Sequence, residues 1–265
     1  MEKSFVRLIE ESVKQNWDLP AFSDYKGATF HYHDLARKIE KIHIIFQKTG
    51  IKQGDKIALI GRNSSHWAVA FLAIVTYGAV VVPILPDFKA DNVHHIVNHS
   101  DSVALFTGEP IWENLNESQM LNVKCIISLG KFDILHENTP FSVTDIRSDV
   151  DRLFAERYPN DLLPSDIKYY SKEKPDDVCV INYTSGTTGF SKGVMLPYRS
   201  MWSNMIFAAE VIKLKPGDNH VSILPMAHTY GAAFEFIYQV TKGCHIHFLT
   251  RNPSPKIILE AFNSI

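Results

Sequence analysis

Short apolar runs alternate along this chain with segments whose apolar residues recur at helical spacing. The apolar runs predict β-strands at 56–60, 80–84, 103–107, 125–128, 178–183, 220–224 and 245–249. The helical segments between them include 33–49, 65–77, 91–98 and 198–212. Several runs are continuous instead of alternating, which is typical of parallel strands that are covered on both faces. We therefore expect an α/β fold in which layered, mostly parallel sheets are flanked by helices.

The longest uncharged stretch, at 67–85, reads WAVAFLAIVTYGAVVVPIL and is nearly long enough to cross a bilayer. Helix-forming residues run up to Tyr77, Gly78 favours a helix end, and the following AVVVPI is rich in β-branched residues. This change of residue type indicates a buried helix, a turn and a buried strand, and not a membrane span.

The middle of the chain differs from the rest. Residues 131–177 are polar, contain four prolines and show weak periodicity, which predicts a surface excursion followed by a linker. We place a boundary near 174–177, so that 1–176 form a first α/β subdomain and 177–265 begin a second. The last segment, 255–265, predicts a helix with an apolar face, so either it packs backwards or the chain is cut from something longer.

Composition excludes several classes of protein. Of the 265 residues 45% are hydrophobic, and 27 basic residues nearly balance 29 acidic ones, which argues against a surface for nucleic acid. The three cysteines are far apart and form no CxxC pair, so we expect neither a disulfide framework nor a zinc site, but a reducing cytoplasm. The amino-terminal segment lacks the uninterrupted apolar stretch of a signal peptide.

One polar loop carries the candidate chemistry. Residues 183–195 read YTSGTTGFSKGVM and directly follow the apolar VCVIN. Its hydroxyl, glycine and lysine residues are Thr184, Ser185, Gly186, Thr187, Thr188, Gly189, Lys192 and Gly193. Glycines let backbone N–H groups approach an anion, hydroxyls add short donors, and lysine adds a mobile positive charge. A loop of this kind between a buried strand and a helix is predicted to bind phosphate groups and not to serve as a solvated linker.

The spacing differs from that of the common nucleotide loops. A Walker A loop needs GxxxxGK[ST], but the fifth residue after Gly186 is Ser191, followed by Lys192. The GxGxxG dinucleotide pattern is also absent from the sequence. A kinase of the P-loop type is therefore disfavoured.

The loop YTSGTTGFSKGVML closely resembles the phosphate-binding signature of the adenylate-forming superfamily, which comprises acyl-CoA synthetases, peptide-synthetase adenylation domains and beetle luciferases. TFHYHDLARKI, GDKIALIGRNSSHWAVAFLAIVTYGAVVVPILP and SILPMAHTYGAAFEF resemble further motifs of that family in its order. Two departures are Ser191, where most members have proline, and Tyr198, where many have histidine. Members are about twice as long, so the resemblance implies that the later adenine and ribose motifs and the small C-terminal domain are missing.

The resemblance also implies roles for individual residues. Thr184, Ser185, Gly186, Thr187, Thr188, Gly189 and Lys192 would hold the β- and γ-phosphates of ATP. A hydroxyl of Thr184 or Thr188 would lie near Mg²⁺. His228 is the candidate catalytic residue, which would position the acyl carboxylate and the α-phosphate without binding a metal. Thr229, Tyr230 and Gly231 would shape the acyl pocket, although a simple strand-to-helix turn explains them about as well.

The expected activity is ATP-dependent conversion of a carboxylic acid to an acyl-adenylate and then, with coenzyme A, to a thioester. The motifs look most similar to those of medium- or long-chain fatty acid ligases, with aryl-CoA ligases and amino-acid adenylation domains as alternatives. We expect residues 1–265 alone to be inactive, so a folded scaffold without catalysis is the alternative of another class. We expect at most peripheral membrane association, since no lipid anchor motif is visible.

Overall fold

The computed structural model describes residues 4–140, 142–170, 172–184, 191–251, 253–263 and 265. Its strands are β1 (Pro20–Asp24), β2 (Thr29–His31), β3 (Lys56–Ile60), β4 (Val80–Ile84), β5 (Ser102–Thr107), β6 (Cys125–Ser128), β7 (Ile134–Glu137), β8 (Val178–Thr184), β9 (Lys192–Pro197), β10 (Asn219–Ser222) and β11 (His245–Phe248). Its α-helices are α1 (Phe5–Gln15), α2 (Tyr32–Lys48), α3 (Ser65–Tyr77), α4 (Ala90–His99), α5 (Glu109–Trp112), α6 (Val143–Ser148), α7 (Val150–Arg157), α8 (Tyr198–Val211), α9 (Tyr238–Thr241) and α10 (Pro255–Phe262). A π-helical segment, Gly231–Ile237, runs directly into α9.

Two sheets organise these elements. The larger sheet has the order β7-β6-β5-β3-β4-β8-β9, in which the inner pairs are parallel and the edge strands β7 and β9 are antiparallel. The smaller sheet has the order β10-β11-β1-β2, with only β2 antiparallel. The predicted layered α/β class is confirmed.

The uncharged stretch at 67–85 is the centre of the core. Helix α3 is buried on all sides from Trp67 to Thr76, and every residue of β4 is buried. Gly78 ends α3 with a φ of 85°, in the left-handed region that favours glycine. A helix that is apolar all round is stable only when neighbours cover every face, and here α2 and the two sheets do so. Within the described residues, no helix combines the length and the apolar character that crossing a bilayer requires.

The expectation of a surface excursion and linker at 131–177 is wrong for much of that segment. It contains β7, α6 and α7, and several of its side chains enter the core: Val143, Val150, Phe154, Leu162, Ile167 and Tyr169. Ion pairs from Lys41 to Asp151 and from Arg37 to Asp161 help to hold it on α2. The apolar residues are too widely spaced to give a periodic signal, because short elements each contribute only one or two of them.

Strands from both sides of residue 176 belong to the same sheets. Strand β8 pairs with β4 in the larger sheet, and β11 pairs with β1 in the smaller one. The predicted boundary between subdomains 1–176 and 177–265 therefore does not separate the two sheets. The division into these subdomains stays a prediction.

The last helix packs only partly against the rest of the chain. Ser254 caps α10, and the side-chain hydroxyl accepts a hydrogen bond from the backbone N–H of Ile257. Ala261 is buried against Val221 and Leu249, whereas Phe262 stays largely exposed. Earlier parts of the chain therefore cover about half of the predicted apolar face of α10.

A buried histidine between α2 and α3 predicts acid sensitivity. The Nε2–H of His43 donates to the carbonyl oxygen of Ala73 at 2.9 Å, and burial lowers the pKa of this histidine to about 4. The unfolded chain takes up this proton near pH 6.5, so the contribution to stability is complete above that pH and is lost as pH falls towards 4. Between pH 7 and 4.5, this one group should cost about 2–3 kcal/mol of unfolding free energy.

Urea unfolding at pH 7 and 4.5 tests this expectation with the variant His43→Gln, whose amide keeps a donor for Ala73. The stability lost on acidification should be smaller in the variant by about 2–3 kcal/mol. His136→Gln, on the edge strand β7, serves as the matched control for removing a histidine. The same acid-induced loss in wild type and His43→Gln would contradict the expectation.

Candidate active site

The β8–β9 hairpin carries the ends of the predicted phosphate loop. Thr184 is the last residue of β8 and pairs with Lys192, the first residue of β9, and both side chains are exposed. The sequence placed Lys192 in a loop, so its position in a strand is a correction. Ser185, Gly186, Thr187, Thr188 and Gly189 lie outside the described residues, and their predicted contacts with phosphate stay a prediction.

The base of the hairpin is closely packed. Gly193 lies opposite Tyr183, and a β-carbon on this glycine would be only 3.1 Å from the Cζ atom of the tyrosine. The hydroxyl of Tyr183 is 2.7 Å from Nδ1 of His99 on α4. Because Gly193 has no side chain, the ring of Tyr183 can pack against the backbone of β9. This contact joins the two strands of the hairpin next to the pair Thr184 and Lys192.

Side chains of β8 alternate between two environments. Ile181 and Tyr183 join an apolar cluster, while Val180, Asn182 and Thr184 line a cavity that Tyr183 also borders. This cavity has a volume of about 330 Å³. Its other lining residues are Leu85, Tyr183, Val194, Leu196, Met201, Asn204, Ala227, His228, Thr229 and Ala232. Most of the wall is apolar, and the polar groups Thr184 and His228 lie at the same cavity.

The turn that carries His228 begins where β10 ends. The carboxylate of Glu235, on the π-helical segment, accepts hydrogen bonds from the backbone N–H groups of Ile223 and Leu224 at 2.9 and 2.8 Å. These two amides bind a side chain instead of a neighbouring strand, which explains why β10 stops at Ser222 and not at residue 224 as the sequence predicts.

Asn63 fixes the same turn from the first half of the chain. Its Nδ2–H donates to the carbonyl oxygen of Leu224 at 2.7 Å, and its Oδ1 accepts from the N–H of Met226 at 2.9 Å. Both hydrogen-bonding ends of one amide are therefore used on adjacent parts of the turn. This arrangement leaves little freedom for the backbone that leads to His228.

His228 has a defined hydrogen-bonding state in this turn. Its Nδ1 accepts a hydrogen bond from the N–H of Tyr230 at 3.3 Å, so the neutral ring carries its proton on Nε2. The residue is exposed at the cavity. An Nε2–H group at this place can donate to an oxygen of a bound acid or phosphate.

The three residues after His228 lie in different surroundings. Thr229 lines the cavity, but Tyr230 is 56% exposed and its ring packs on Phe234 with a centroid distance of 4.9 Å. Gly231 lies against the backbone of Pro225 and begins the π-helical segment. Of the predicted pocket residues, the structure brings His228 and Thr229 to the cavity wall, whereas Tyr230 and Gly231 are not among its lining residues.

Tyr198 departs from the residue that the resemblance leads one to expect, and it has a structural place. It is the first residue of α8, its ring packs on Phe5 with a centroid distance of 5.5 Å, and burial raises the pKa of its hydroxyl well above the usual range. It is not among the residues that line the cavity.

Of the two threonines that the sequence predicts near Mg²⁺, Thr184 lines the cavity and Thr188 lies outside the described residues. The exposed hydroxyl of Thr184 is an oxygen ligand of the type that Mg²⁺ accepts alongside phosphate oxygens and water. Among the residues that the structure describes, the one group of three metal-ligand side chains close together is His31, His33 and Asp34, and none of these lines the cavity. Thr184 therefore suits a magnesium ion whose other ligands are phosphate oxygens and water, and not an ion bound by protein side chains alone.

Comparison with known proteins decides the family. The sequence profile of the family described as "AMP-binding enzyme" matches residues 9–264. The chain belongs to this family. Fatty acyl-CoA synthetase A of Dictyostelium discoideum is 29% identical over 222 residues, and the match covers 79% of this chain and 31% of that protein. The probable acyl-activating enzyme 16 of Arabidopsis thaliana is 32% identical over 219 residues, covering 79% and 30%.

Solved structures show the fold of this AMP-binding family chain. ATP-bound MatB from Rhodopseudomonas palustris superposes with a TM-score of 0.78 at 19% identity, covering 99% of this chain and 48% of that one. The N-terminal domain of FACL13 from Mycobacterium tuberculosis superposes with a TM-score of 0.75 at 21% identity, covering 98% and 61%. The chain spans about a third of the length of these curated relatives and about half of ATP-bound MatB.

Three site residues of this family member are absent from the sequence predictions. Asn63, Asn182 and Glu235 hold the turn before His228, but none of them belongs to a glycine- or hydroxyl-rich motif. Asn182 and Glu235 are polar residues in the otherwise apolar segments VCVINY and AAFEFIY, whereas Asn63 lies in the polar segment GRNSSH and lacks this signal. Because buried polar groups are usually hydrogen-bonded to a specific partner, such isolated residues are a usable signal.

Proposed function

We propose that this chain provides the phosphate and acyl sites of an ATP-dependent acyl-CoA ligase, which activates a medium- or long-chain fatty acid. The observation that carries the proposal is the joint position of Thr184 and His228 at one mostly apolar cavity. The strand that ends in the predicted phosphate loop and the turn that carries the histidine thus face the same space. A ligase of this kind needs a fatty chain, a carboxylate and a nucleotide phosphate to meet at one place.

In the first step, a carboxylate oxygen of the acid would form a bond to the α-phosphorus of ATP, and pyrophosphate would leave. Two anions must approach each other, and negative charge must move onto the leaving phosphates. The ammonium group of Lys192 and the hydroxyl of Thr184 stand at the hairpin that leads to the cavity, and the Nε2–H of His228 stands in its wall. Donors and cations fixed in advance stabilise such charge most effectively.

Mg²⁺ would be held by phosphate oxygens together with the hydroxyl of Thr184 or Thr188, and it would neutralise phosphate charge. In the second step, the thiol sulfur of coenzyme A would bond to the acyl carbon and lose its proton, and AMP would leave. We assign no residue of this chain to coenzyme A. We propose a reducing cytoplasm as the location, on the wide spacing of the three cysteines in the sequence.

The apolar wall of the cavity favours an aliphatic acid over the alternatives. The side chains Leu85, Val180, Leu196 and Met201 offer contact area to a hydrocarbon chain. An amino acid would need a partner for its ammonium group, and no carboxylate is among the described residues that line the cavity. Aryl acids remain an alternative that the measurement below separates.

ATP–pyrophosphate exchange by the complete gene product tests the proposal. Laurate and palmitate should support exchange at least tenfold faster than a cinnamic acid or any of the twenty amino acids. Exchange confined to amino acids would remove the fatty acid assignment, and no exchange with any acid would remove the ligase. Residues 1–265 alone should form no thioester, and turnover by that chain would refute the expectation that it lacks essential parts.

A further inference from the structure

The side chain of Asn182 makes one hydrogen bond to the described residues, in the middle of the candidate site. It lies on β8, two residues before Thr184, and its side chain is only 7% exposed. Its Nδ2–H donates to the carbonyl oxygen of Ala227 at 2.7 Å. Because a carbonyl oxygen can only accept, this contact determines which end of the amide faces the turn.

The other end of the same amide has no hydrogen-bonding partner among the described residues. Oδ1 of Asn182 is buried from solvent and accepts no hydrogen bond there. A buried, unpaired carbonyl oxygen lowers stability, and leucine has nearly the same shape without that cost. Packing therefore does not account for asparagine at this position, whereas the hydrogen bond to Ala227 does.

This hydrogen bond joins the two parts of the site. Ala227 directly precedes His228, and Asn182 belongs to the strand that ends at Thr184. Glu235 and Asn63 hold the turn further upstream, at residues 223–226. The peptide next to the histidine is thus fastened to β8 by Asn182, at the level of the cavity that both line.

We propose that Asn182 is a positioning residue for the adenylation step, which holds the His228 ring in register with the end of β8. The expected effect of Asn182 on the reaction rate rests on the proposed function. The expected effect of Asn182 on the turn does not. Displacing a group that orients reacting atoms by about 1 Å can lower a rate about a hundredfold. Loss of this hydrogen bond should therefore lower the turnover number and leave the binding of ATP nearly unchanged.

A double-mutant cycle in the complete gene product tests whether Asn182 acts through His228. Asn182→Leu should lower the turnover number of laurate-dependent pyrophosphate exchange at least tenfold, with the KM for ATP within twofold of wild type. His228→Ala should lower it further. Adding Asn182→Leu to His228→Ala should change the rate less than twofold, because the histidine that Asn182 positions is already absent. If the rate loss in the double variant equals the product of the two single losses, the residues act independently and the proposal is overturned.

Amide hydrogen exchange supplies a readout that needs no turnover. In Asn182→Leu, the amides of residues 226–230 should exchange at least tenfold faster than in wild type, while those of 178–181 stay unchanged. Asn204→Leu is the matched control, since it makes the same chemical change in a residue of α8 that lines the same cavity. It should leave the exchange of residues 226–230 unchanged.

The two measurements separate the possible failures. If wild type exchanges pyrophosphate with no carboxylic acid, the ligase proposal fails, and hydrogen exchange still tests the hold of Asn182 on the turn. If residues 226–230 exchange equally in wild type and Asn182→Leu, the positioning role is wrong whatever the activity. If the amides of residues 178–181 also exchange faster in Asn182→Leu, Asn182 has a general structural role, and the proposal is overturned.

Discussion

Replacing Lys192 by alanine should lower the kcat/KM for ATP in pyrophosphate exchange at least a hundredfold. Lys192 begins β9 opposite Thr184, with an exposed side chain at the stem of the predicted phosphate loop. A lysine at such a stem can reach the β- and γ-phosphates, where charge builds as pyrophosphate leaves. A hundredfold loss corresponds to about 3 kcal/mol of transition-state stabilisation. Calorimetric titration with ATP and Mg²⁺ should show at least tenfold weaker binding.

Two further variants determine whether the charge itself matters. Lys192→Arg keeps a cation on the same strand and should recover part of the lost rate, although guanidinium and ammonium groups bind phosphate with different geometry. Lys213→Ala removes a lysine beyond the end of α8 and should leave exchange within twofold of wild type. Equal ATP binding and equal rates in wild type and Lys192→Ala would contradict the role assigned to this residue.

Gly231→Ala should disrupt the turn that carries His228. A β-carbon at Gly231 would overlap the carbonyl oxygen of Pro225 and lie 3.0 Å from its carbonyl carbon. That oxygen already accepts the N–H of His228 at 3.0 Å, so it cannot withdraw without losing this bond. We expect a destabilisation of about 1–3 kcal/mol and a fall of at least a hundredfold in exchange rate, because the histidine is displaced together with the turn.

Urea unfolding and pyrophosphate exchange measure the two effects separately. Gly108→Ala is the matched control, because this glycine has a φ of −72° and a β-carbon there would meet nothing closer than Cδ of Pro110 at 4.0 Å. It should retain exchange, and its stability should stay within about 0.5 kcal/mol of wild type, because the stiffer unfolded chain offsets the weaker preference for alanine at this helix N-cap. Wild-type exchange by Gly231→Ala would show that the turn tolerates displacement and that His228 needs no fixed position.

Local patterns identified much of the framework correctly. The bounds of β3, β4, β6 and α3 are those predicted, because long apolar runs and the change from helix formers to β-branched residues at Gly78 are strong signals. The four strands absent from the prediction are weaker cases: β1, β2, β7 and β9. Strands β2, β7 and β9 are edge strands with partly exposed side chains and carry no long apolar run, whereas β1 is an inner strand whose sequence, PAFSD, has only two apolar residues after its proline.

The candidate site divides in the same way. The composition of 183–195 was enough to single out the predicted phosphate loop, since phosphate binding demands specific residue types close together in the chain. His228 was singled out by the resemblance of its PMAHTYG segment to a motif of the family. The roles of Ser185, Gly186, Thr187, Thr188 and Gly189 remain predictions. The holding residues Asn63, Asn182 and Glu235 could not be assigned from sequence, because their partners lie 163, 45 and 12 residues away.

By itself, the sequence determined the family, the alternation of strands and helices, and the residues that suit phosphate. These properties depend on residue type and on short-range spacing, which the linear chain displays directly. The tertiary structure alone decided that β8 and β9 pair at Thr184 and Lys192, and that the His228 turn faces the same apolar cavity. The physical reason is that strand pairing and single hydrogen bonds across the fold depend on which distant backbones meet, and local periodicity contains no record of that choice.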